Sequence, residues 1–578
     1  MDNGRKQEFH KVCGIFLLSL IVYGVIISFF TATVYVNVDE ELYVALAKSF
    51  HYSGRFEVNG KLTDYNCVLY SLLLSLAYFF YSPEKILFIM RFIGVVCMCS
   101  SVFPIWLLAG NLLKREKEVL MVCGLSMLMP YMFDCVYLIQ EVLSYPLFLW
   151  SLYFLYLGYE QLEEKQTGKA GELRWFAAGA VFSVLCFFTK TYMFFIPAVL
   201  NVSLFWDAWK EKKMKRVLAP LCVYDGIYLT MTGVLYVFVS AANGFAKGDN
   251  HYVGQFSWLF PITKWTVISG IACLIIYFAL LAINMGILPI ISVWVNRKKY
   301  EKTVGWLGSF VLMSLAFLLF EIVVLIVLTE EGVPTVPHKF LFRYFHVLVP
   351  PVLILFVGDA NKQDVLKTKV FFLLSVGSCA ISFIYFIGIQ GNTRQAIADG
   401  YFYLLLENIT KNILPYADAI TVFLAGCMLT AISVFAEKRK ENILKIFIRF
   451  GIVGIIFLWL VNCVQLPVYN NRITDGKTTQ RDSIEIADYL NENEYEFVYY
   501  VVTSIEESDS YVRNFYGYLK QQHQVIYPEE LGQILKDKER GKAAFLVSVE
   551  TAEKELEVFQ LKKVELPLKK LTMYCQEF

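Results

Sequence analysis

The sequence predicts a polytopic α-helical membrane protein of about thirteen transmembrane helices, with a small extracytoplasmic α/β domain at its C-terminal end. Of the 578 residues, 57% are hydrophobic and only 18% are charged, whereas about 25% of the residues in an ordinary soluble protein are charged. The mean hydropathy is +0.52, and a soluble protein could not cover so much apolar surface with so few charges. The apolar residues also fall into runs that approach the roughly 20 residues a membrane-spanning helix needs.

The distribution of charge divides the chain near residue 469. Residues 470–578 contain 20 acidic and 14 basic side chains, a balance of −6, which leaves +7 on residues 1–469. We therefore expect a membrane domain over 1–469 and a separate polar domain over 470–578. The polar domain alternates predicted strands with predicted helices, at 496–504, 511–521, 544–549 and 551–559.

Thirteen apolar runs qualify, or nearly qualify, as membrane-spanning helices. They are 12–30, 86–110, 118–134, 142–159, 174–189, 191–209, 217–240, 265–295, 305–328, 344–358, 369–389, 418–436 and 447–466. With the N-terminus in the cytoplasm, this count places four basic loop clusters on the cytoplasmic side, as the positive-inside rule requires. The clusters are 114–117, 210–216, 297–302 and 438–445. The polar domain then lies outside the plasma membrane.

Two stretches decide this topology. The run 67–80 has 14 residues, a length more typical of an interfacial or re-entrant segment than of a span. Counting it as a span would move the basic clusters outside, so we place it in a long first outer loop over 31–85. The stretch 175–206 is too long for one helix through a core of about 30 Å. We expect two short helices that meet at Lys190 on the outer surface.

Ionisable side chains at the membrane boundary are costly unless they are paired or hydrated, which makes them candidates for function. Those that stand out lie on the predicted outer side: Asp39, Glu40, Glu41, Glu141, Lys190, His338, Lys339 and Arg343, with the neighbouring Gln140 and Tyr344. Each also has a structural explanation that the sequence leaves open. Acids 39–41 could cap a helix, Glu141 could be a solvated loop acid, Lys190 could snorkel, and Arg343 with Tyr344 could anchor a span at the interface.

Together these residues suggest a binding site for a lipid phosphate. Lys190 and Arg343 supply positive charge, and the planar guanidinium of arginine suits phosphate recognition. A nearby carboxylate could serve as the base for an attack on the carbon attached to that phosphate. His338 and His251 could bind a metal, but isolated histidines without a partner at ligand spacing are weak indicators.

The segment NVDEELYVALAKS at 37–49 resembles the first outer loop of the GT-C glycosyltransferases, where an Asp-Glu pair precedes a tyrosine and an amphipathic helix. Further segments resemble, in order, the bacterial branch related to aminoarabinose transferase and protein O-mannosyltransferase (glycosyltransferase family 39). They are YNCVLYSLLL at 65–74, QEVLSYPLFL at 140–149, FFTKT at 187–191, and Arg343-Tyr344 followed by Pro350-Pro351. The chain departs from the family pattern where Asn66-Cys67 replaces tandem prolines and where Leu341-Phe342 replaces an acid before Arg-Tyr.

The resemblance implies a GT-C-type catalytic domain over 1–469 that transfers one sugar, with inversion, from a polyprenyl-phosphate carrier to an extracytoplasmic acceptor. The acceptor is a cell-envelope glycan, a lipid or a protein, and no nucleic acid is involved. Asp39 would be the general base, with Glu40 and Glu141 beside it. The donor phosphate would bind Lys190, Arg343 and Tyr344. Candidates for further substrate contacts are Tyr43, Tyr65, Tyr70 and His338.

No cofactor is required by this chemistry, because the phosphate already activates the donor. The acids Asp39 and Glu40 are the place where a divalent metal would bind if the enzyme uses one, and the sequence leaves that choice open. The expected partners are the lipid bilayer, the lipid-linked donor and the acceptor.

Two other functions are compatible with the sequence. A secondary transporter would show inverted repeats, broken helices and charges near the bilayer midplane. The sequence contains no internal repeat, and its notable charges lie at the outer boundary. A non-catalytic GT-C relative in polymer assembly or lipid handling would keep the fold without needing Asp39.

Overall fold

The computed structural model of the chain describes two groups of residues. In the membrane domain these are 3–29, 38–58, 61–80, 83–164, 170–245, 264–285, 287–296, 301–324, 341–358, 369–388, 452–456, 459–460 and 463. In the polar domain they are 476–502, 521–536, 542–548, 559, 561–568 and 571–575.

Helices dominate the described part of the membrane domain. They are α1 Asn3–Ser28, α2 Val38–Ser53, α3 Leu69–Leu74, α4 Pro83–Ser100, α5 Val102–Leu112, α6 Glu116–Leu128, α7 Glu141–Glu164, α8 Ala170–Thr189, α9 Phe195–Lys210, α10 Met214–Ala242, α11 Lys264–Met285, α12 Ile287–Asn296, α13 Lys302–Ile322, α14 Val349–Gly358 and α15 Lys369–Gly388. Short 3-10 helices join several of them, at Ser75–Phe79, Pro130–Val136, Thr191–Phe194 and Phe342–Leu348. A small hairpin, β1 Glu57–Val58 and β2 Lys61–Leu62, follows α2.

Six helical stretches among the described residues are long and apolar enough to cross a membrane. They are Gly4–Ser28, Lys85–Leu112, Glu141–Glu163, Thr191–Lys210, Met214–Ala242 and Lys302–Ile322. A seventh candidate is Glu116–Leu128 with Pro130–Val136, a pair bent by 50°. Each of the seven overlaps a predicted span. The chain is therefore a multi-pass membrane protein, while the total of thirteen spans stays a prediction, since 418–436 and most of 447–466 lie outside the described residues.

The predicted span 344–358 is not a uniform helix, because it begins in the 3-10 helix Phe342–Leu348. Over the predicted span 265–295 the structure describes α11 up to Met285 and α12 from Ile287. Residue 286 lies outside the described residues, so a single span there stays a prediction.

The predicted break at Lys190 is confirmed. α8 ends at Thr189, and Lys190 is extended, with φ −153° and ψ 122°. A 3-10 helix then leads into α9. The apolar run 67–80 forms α3 and a 3-10 helix, together about 20 Å long at the usual rise per residue. This is too short to cross the hydrocarbon core, and its interfacial location stays a prediction.

Ion pairs join four helix ends at one end of the bundle. Glu163 of α7 contacts Arg216 of α10 at 3.0 Å and Lys302 of α13 at 2.7 Å. Lys302 also pairs with Glu211, which follows α9. Lys302, the last residue of the predicted basic loop 297–302, thus lies on the same side of the bundle as the loop 210–216, as the positive-inside argument requires, whereas residues 297–300 lie outside the described residues. Which side of the membrane this end faces stays a prediction.

Two glycines allow α7 and α8 to pack closely. A β-carbon on Gly158 would lie 2.8 Å from a ring carbon of Phe176, and one on Gly179 would lie 2.6 Å from a methyl carbon of Leu155. Real β-carbons do not approach other atoms so closely, so larger side chains would push the two helices apart. The same two helices end next to the residues of the candidate site, at the other end of the bundle.

The polar domain is a five-stranded sheet with helices on both faces, which confirms the predicted α/β class. Its elements are α16 Gly476–Glu492, β3 Phe497–Val501, β4 Gln522–Ile526, α17 Pro528–Ile534, β5 Ala543–Ser548, β6 Lys562–Val564 and β7 Leu571–Cys575. The strand order is β4-β3-β5-β7-β6, parallel from β4 to β5 and antiparallel from β5 to β6. The strands predicted at 496–504 and 544–549 are confirmed, whereas the helices predicted at 511–521 and 551–559 and the boundary at 469 lie outside the described residues, apart from Gln521 and Phe559.

The close α7–α8 contact predicts that substituting alanine for glycine lowers thermal stability within the contact but not outside it. Gly158→Ala should lower the midpoint temperature of unfolding in detergent, because the new methyl group meets the Phe176 ring. Gly226→Ala in α10 is the matched control, since a β-carbon there has no heavy atom within 4 Å. It should leave the midpoint unchanged or raise it, as alanine is the better helix former by about 1 kcal/mol. Equal midpoints for both variants would contradict the close contact.

Candidate active site

Four segments that are distant in sequence meet at the end of the bundle opposite to Glu163. They are the first turn of α2, which carries Asp39, the start of α7 at Glu141, the extended residue Lys190, and the 3-10 helix that carries Arg343. An acid in the first turn of a helix is favoured by the helix dipole, which accounts for the placement of both carboxylates. The predicted convergence of these four residues is thereby observed.

Glu141 is the centre of this cluster. Its side chain is 6% exposed, and its Oε1 lies 3.4 Å from Lys190 Nζ and 3.2 Å from Arg343 Nε. A buried carboxylate needs such compensation, because the loss of water would otherwise be very costly. Glu141 is therefore not a solvated loop acid. Lys190, with a side chain 11% exposed, is not a snorkelling lysine either.

Arg343 bridges the two carboxylates. Its Nη2 lies 3.4 Å from Asp39 Oδ2, while its Nε faces Glu141. The guanidinium is 12% exposed, whereas the Asp39 side chain is 44% exposed. The arginine thus joins a buried acid to one that solvent and ligands can reach.

Aromatic rings surround the ammonium group of Lys190. Its Nζ lies 5.8 Å from the ring centroids of both Tyr43 and Tyr344, and it donates a hydrogen bond to the Tyr43 hydroxyl at 3.3 Å. Tyr344 meets Tyr192 edge to face, with centroids 4.4 Å apart. Contacts of a cation with ring faces are favourable. They fix the ammonium while leaving donor capacity for a further ligand, since an ammonium has three N–H groups.

Two titrating groups in the cluster lie outside the spanning helices. Burial is the largest single effect and lowers the pKa of Lys190, but the Glu141 carboxylate together with Tyr43 and Tyr344 outweighs it and holds that pKa well above its ordinary value. Burial likewise raises the pKa of the Tyr43 hydroxyl. Lys190 is therefore a fixed cation at neutral pH, and Tyr43 keeps its proton.

A hydrogen-bonded segment of the first outer loop borders the cluster. The Tyr65 hydroxyl donates to Gln140 Oε1 at 3.1 Å, and Gln140 Nε2 donates to the carbonyl oxygen of Cys67 at 2.5 Å. Asn243, just after α10, donates to the Tyr65 carbonyl oxygen at 3.3 Å. Tyr65 is half-buried next to the cluster, whereas Tyr70 is fully buried and packs edge to face against Tyr43. Tyr70 therefore packs behind Tyr43, inside the protein.

Glu40 differs from its neighbour Asp39 in its surroundings. It is 1% exposed, and its Oε2 accepts the backbone N–H of Leu138 at 3.1 Å. This contact ties α2 to the segment that leads into α7. Nothing is described of the Glu41 side chain, and His338 lies outside the described residues. Within the described ranges, no group of three or more His, Cys, Asp or Glu side chains is arranged to hold a metal ion.

Sequence reasoning missed a buried pair next to the cluster. Asp134 and His346 lie 2.8 Å apart, and neither was a candidate. The spacing Arg343-x-x-His346 places both side chains on one face of a 3-10 helix. That spacing is the signal that could have identified the histidine.

The fold can be compared with known structures at this point. The crystal structure of ArnT from Cupriavidus metallidurans bound to undecaprenyl phosphate is similar to the chain over 98% of both chains, with a TM-score of 0.58 and 14% sequence identity. The chain has the GT-C fold. The apo structure of the same ArnT gives a TM-score of 0.55 at 13% identity, again over 98% of both chains. This confirms the GT-C resemblance first seen in the sequence.

Other comparisons add little to the GT-C assignment. An oligosaccharyltransferase from Archaeoglobus fulgidus, AglB, matches 94% of this chain and 70% of its own, at 11% identity and a TM-score of 0.42. That score is too low to carry an argument. No protein-family model and no curated protein sequence matches the chain.

The burial of Glu141 predicts unequal effects of neutralising the two site carboxylates. Glu141→Gln leaves Lys190 and Arg343 without their buried counter-charge, a change that typically costs about 3 kcal/mol or more. Asp39→Asn removes a half-exposed charge and should cost less than about 1 kcal/mol. Midpoint temperatures of unfolding in detergent would order the variants as wild type, Asp39→Asn, then Glu141→Gln. A larger loss in Asp39→Asn would contradict the central position of Glu141.

Proposed function

We propose that the chain is a membrane glycosyltransferase that moves one sugar from a polyprenyl-phosphate donor to an extracytoplasmic acceptor, with inversion. The observation that carries the proposal is the pair of cations, Lys190 and Arg343, held on the buried carboxylate of Glu141 beside the accessible acid Asp39. The GT-C fold supports it by analogy, since ArnT, which shares the fold, was crystallised with undecaprenyl phosphate.

Lys190 and Arg343 bind the donor phosphate in this proposal. Without donor, the two cations face two carboxylates, so their charges balance. Arg343 holds buried Glu141 at 3.2 Å and half-exposed Asp39 at 3.4 Å. The contact with Asp39 is the easier one to give up, because that carboxylate regains water when it is released. A phosphate oxygen takes its place on Nη2 of Arg343, and donor binding thereby frees Asp39.

Asp39 acts as the general base. It accepts the proton of the acceptor hydroxyl while that oxygen bonds to the anomeric carbon from the face opposite to the phosphate. The bond between the anomeric carbon and the phosphate oxygen breaks, and polyprenyl phosphate leaves with the electron pair. The 44% exposure of the Asp39 side chain leaves it within reach of an incoming acceptor.

The leaving phosphate gains negative charge as the bond breaks, and the cluster compensates that charge. Fixed cations that already point at the developing charge lower the barrier without reorganisation. Lys190 is held by Glu141 and by the rings of Tyr43 and Tyr344. The protonated Tyr43 hydroxyl, 3.3 Å from Lys190 Nζ, supplies another hydrogen-bond donor to the phosphate.

The position of the cluster favours transfer over secondary transport. Transporter sites lie near the bilayer midplane, in broken helices. Here Glu141 is the first residue of α7, and Lys190 lies between the ends of α8 and α9. Charges at helix ends suit a reaction at the membrane surface, where a lipid phosphate is also found.

Asp39→Asn tests the base. Cells without the gene should accumulate the polyprenyl-phosphate sugar, and the wild-type gene should remove that accumulation, as measured by mass spectrometry of extracted lipids. We expect Asp39→Asn to lower turnover by about 10²–10⁴-fold, the usual contribution of a general base. The purified variant should bind undecaprenyl phosphate at least as tightly as the wild type, because Arg343 loses a competing anion. Wild-type turnover by Asp39→Asn would end the assignment.

Alanine variants of the two cations test the phosphate site. Lys190→Ala and Arg343→Ala should each weaken the binding of undecaprenyl phosphate to protein in nanodiscs by about tenfold or more, as expected for a lost charge-assisted hydrogen bond. Lys302→Ala is the matched control, because Lys302 is also an ion-paired cation but lies at the opposite end of the bundle. An affinity in Arg343→Ala equal to that in Lys302→Ala would remove the phosphate role.

A further inference from the structure

A second buried polar layer lies beneath the candidate site. His346 donates Nδ1–H to Asp134 Oδ2 at 2.8 Å, across 212 residues of sequence. The two side chains are only 4% and 14% exposed. Asp134 belongs to the 3-10 helix Pro130–Val136, which follows α6, and His346 belongs to Phe342–Leu348. The bond therefore ties two short, irregular segments together at the same end of the bundle.

Residues of this second layer lie one helical turn from residues of the candidate site, on the same two helices. A 3-10 helix has three residues per turn, so Arg343 and His346 lie one turn apart on the same face. On α7, residues four apart are neighbours on the helix surface, so Tyr145 lies one turn below Glu141. His346 and Tyr145 thus lie in the second layer, one helical turn from Arg343 and Glu141 respectively.

Ring and hydroxyl contacts connect Tyr145 with His346 through Tyr131. The hydroxyl groups of Tyr145 and Tyr131 lie 2.6 Å apart, and the ring of Tyr131 lies 5.3 Å from the ring of His346. On its other side, His346 meets the ring of Phe342 at 5.1 Å, at a steep angle. A charge-assisted hydrogen bond and contacts with the rings of Tyr131 and Phe342 hold the imidazole, which has little freedom to turn.

The segment that carries Arg343 needs such an anchor. Hydrogen-bond geometry is poorer in 3-10 helices than in α-helices, and they are stable only in short pieces. Arg343 must nevertheless stay within 3.4 Å of two acids from different helices. A hydrogen bond to a carboxylate is among the stronger ones a protein can make, and here it holds the next turn of the same segment.

We propose that Asp134 and His346 are positioning residues for the transfer reaction, which hold the Arg343 guanidinium where the donor phosphate binds. The inference rests on the proposed function, since it assigns a purpose to the placement of Arg343. His346 lies one turn from Arg343, and Asp134 is the buried partner that holds it, so both residues act through Arg343. Their loss should affect the binding of phosphate more than a comparable loss elsewhere in the bundle.

The affinity for undecaprenyl phosphate in nanodiscs tests this placement. We expect Asp134→Ala to weaken binding by about tenfold, close to the effect of Arg343→Ala. Asp134→Asn keeps an acceptor oxygen for His346 and should restore part of the affinity. Asp207→Ala is the matched control, because Asp207 is a part-buried acid that accepts a hydrogen bond from Tyr159 at 2.9 Å at the far end of the bundle. It should lower thermal stability without changing affinity.

A double-variant comparison separates positioning from general stability. In an Arg343→Ala background, Asp134→Ala should weaken binding no further, because its effect passes through the missing guanidinium. The proposal would be overturned if Asp134→Ala lowered the affinity in that background as much as it does in the wild type. It would also be overturned if Asp207→Ala lowered the affinity of the wild type as much as Asp134→Ala does. If Asp134→Ala does not fold, Asp134→Asn and His346→Gln take its place, and wild-type affinity in both would overturn it.

The same affinity measurements distinguish the proposed phosphate site from the proposed positioning role of Asp134 and His346. Wild-type affinity in Arg343→Ala would remove the phosphate site and, with it, the reason for positioning. A weakened Arg343→Ala beside wild-type affinity in Asp134→Asn and His346→Gln would leave the phosphate site in place and overturn only the positioning role.

Discussion

The arrangement of the site depends on one buried carboxylate. Glu141 lies at the first residue of α7 and holds Lys190 and Arg343 within 3.4 Å. Neither cation could be buried without it, because an uncompensated charge in a low dielectric is very costly. Three separate parts of the fold are brought to this point: the break between α8 and α9, the 3-10 helix Phe342–Leu348, and, through Arg343, the first turn of α2.

In the proposed function, this constraint balances the charges of the cluster without substrate and still allows an anion to bind. Buried Glu141 compensates both cations, whereas in the proposed reaction the half-exposed Asp39 pairs with Arg343 only until a phosphate binds. An incoming phosphate then pairs with Arg343 in place of the Asp39 carboxylate, which regains water. In the proposed reaction the same exchange delivers a free base next to the anomeric carbon, and binding and activation are one event.

Much of the fold follows from local properties of the sequence. Span length and loop charge predicted the helix break at Lys190 and the common side of loops 210–216 and 297–302, because each depends on a few neighbouring residues. The 3-10 start of the span 344–358 was missed, since its apolar character does not distinguish a 3-10 helix from an α-helix. The common position of Asp39, Glu141, Lys190 and Arg343 at the predicted outer boundary indicated that they converge, and the ion pairs among them confirm that proximity.

Some contacts between distant segments have no local signal in the sequence. The backbone N–H of Leu138 as the partner of Glu40, and the bond between Asp134 and His346, both depend on how helices pack rather than on any local pattern. The most direct measurement of the central claim is a structure of the protein with undecaprenyl phosphate in a lipid nanodisc. The account predicts phosphate oxygens in contact with Lys190 and Arg343, with Asp39 released from the guanidinium. A phosphate bound elsewhere, with the contact between Arg343 and Asp39 intact, would contradict it.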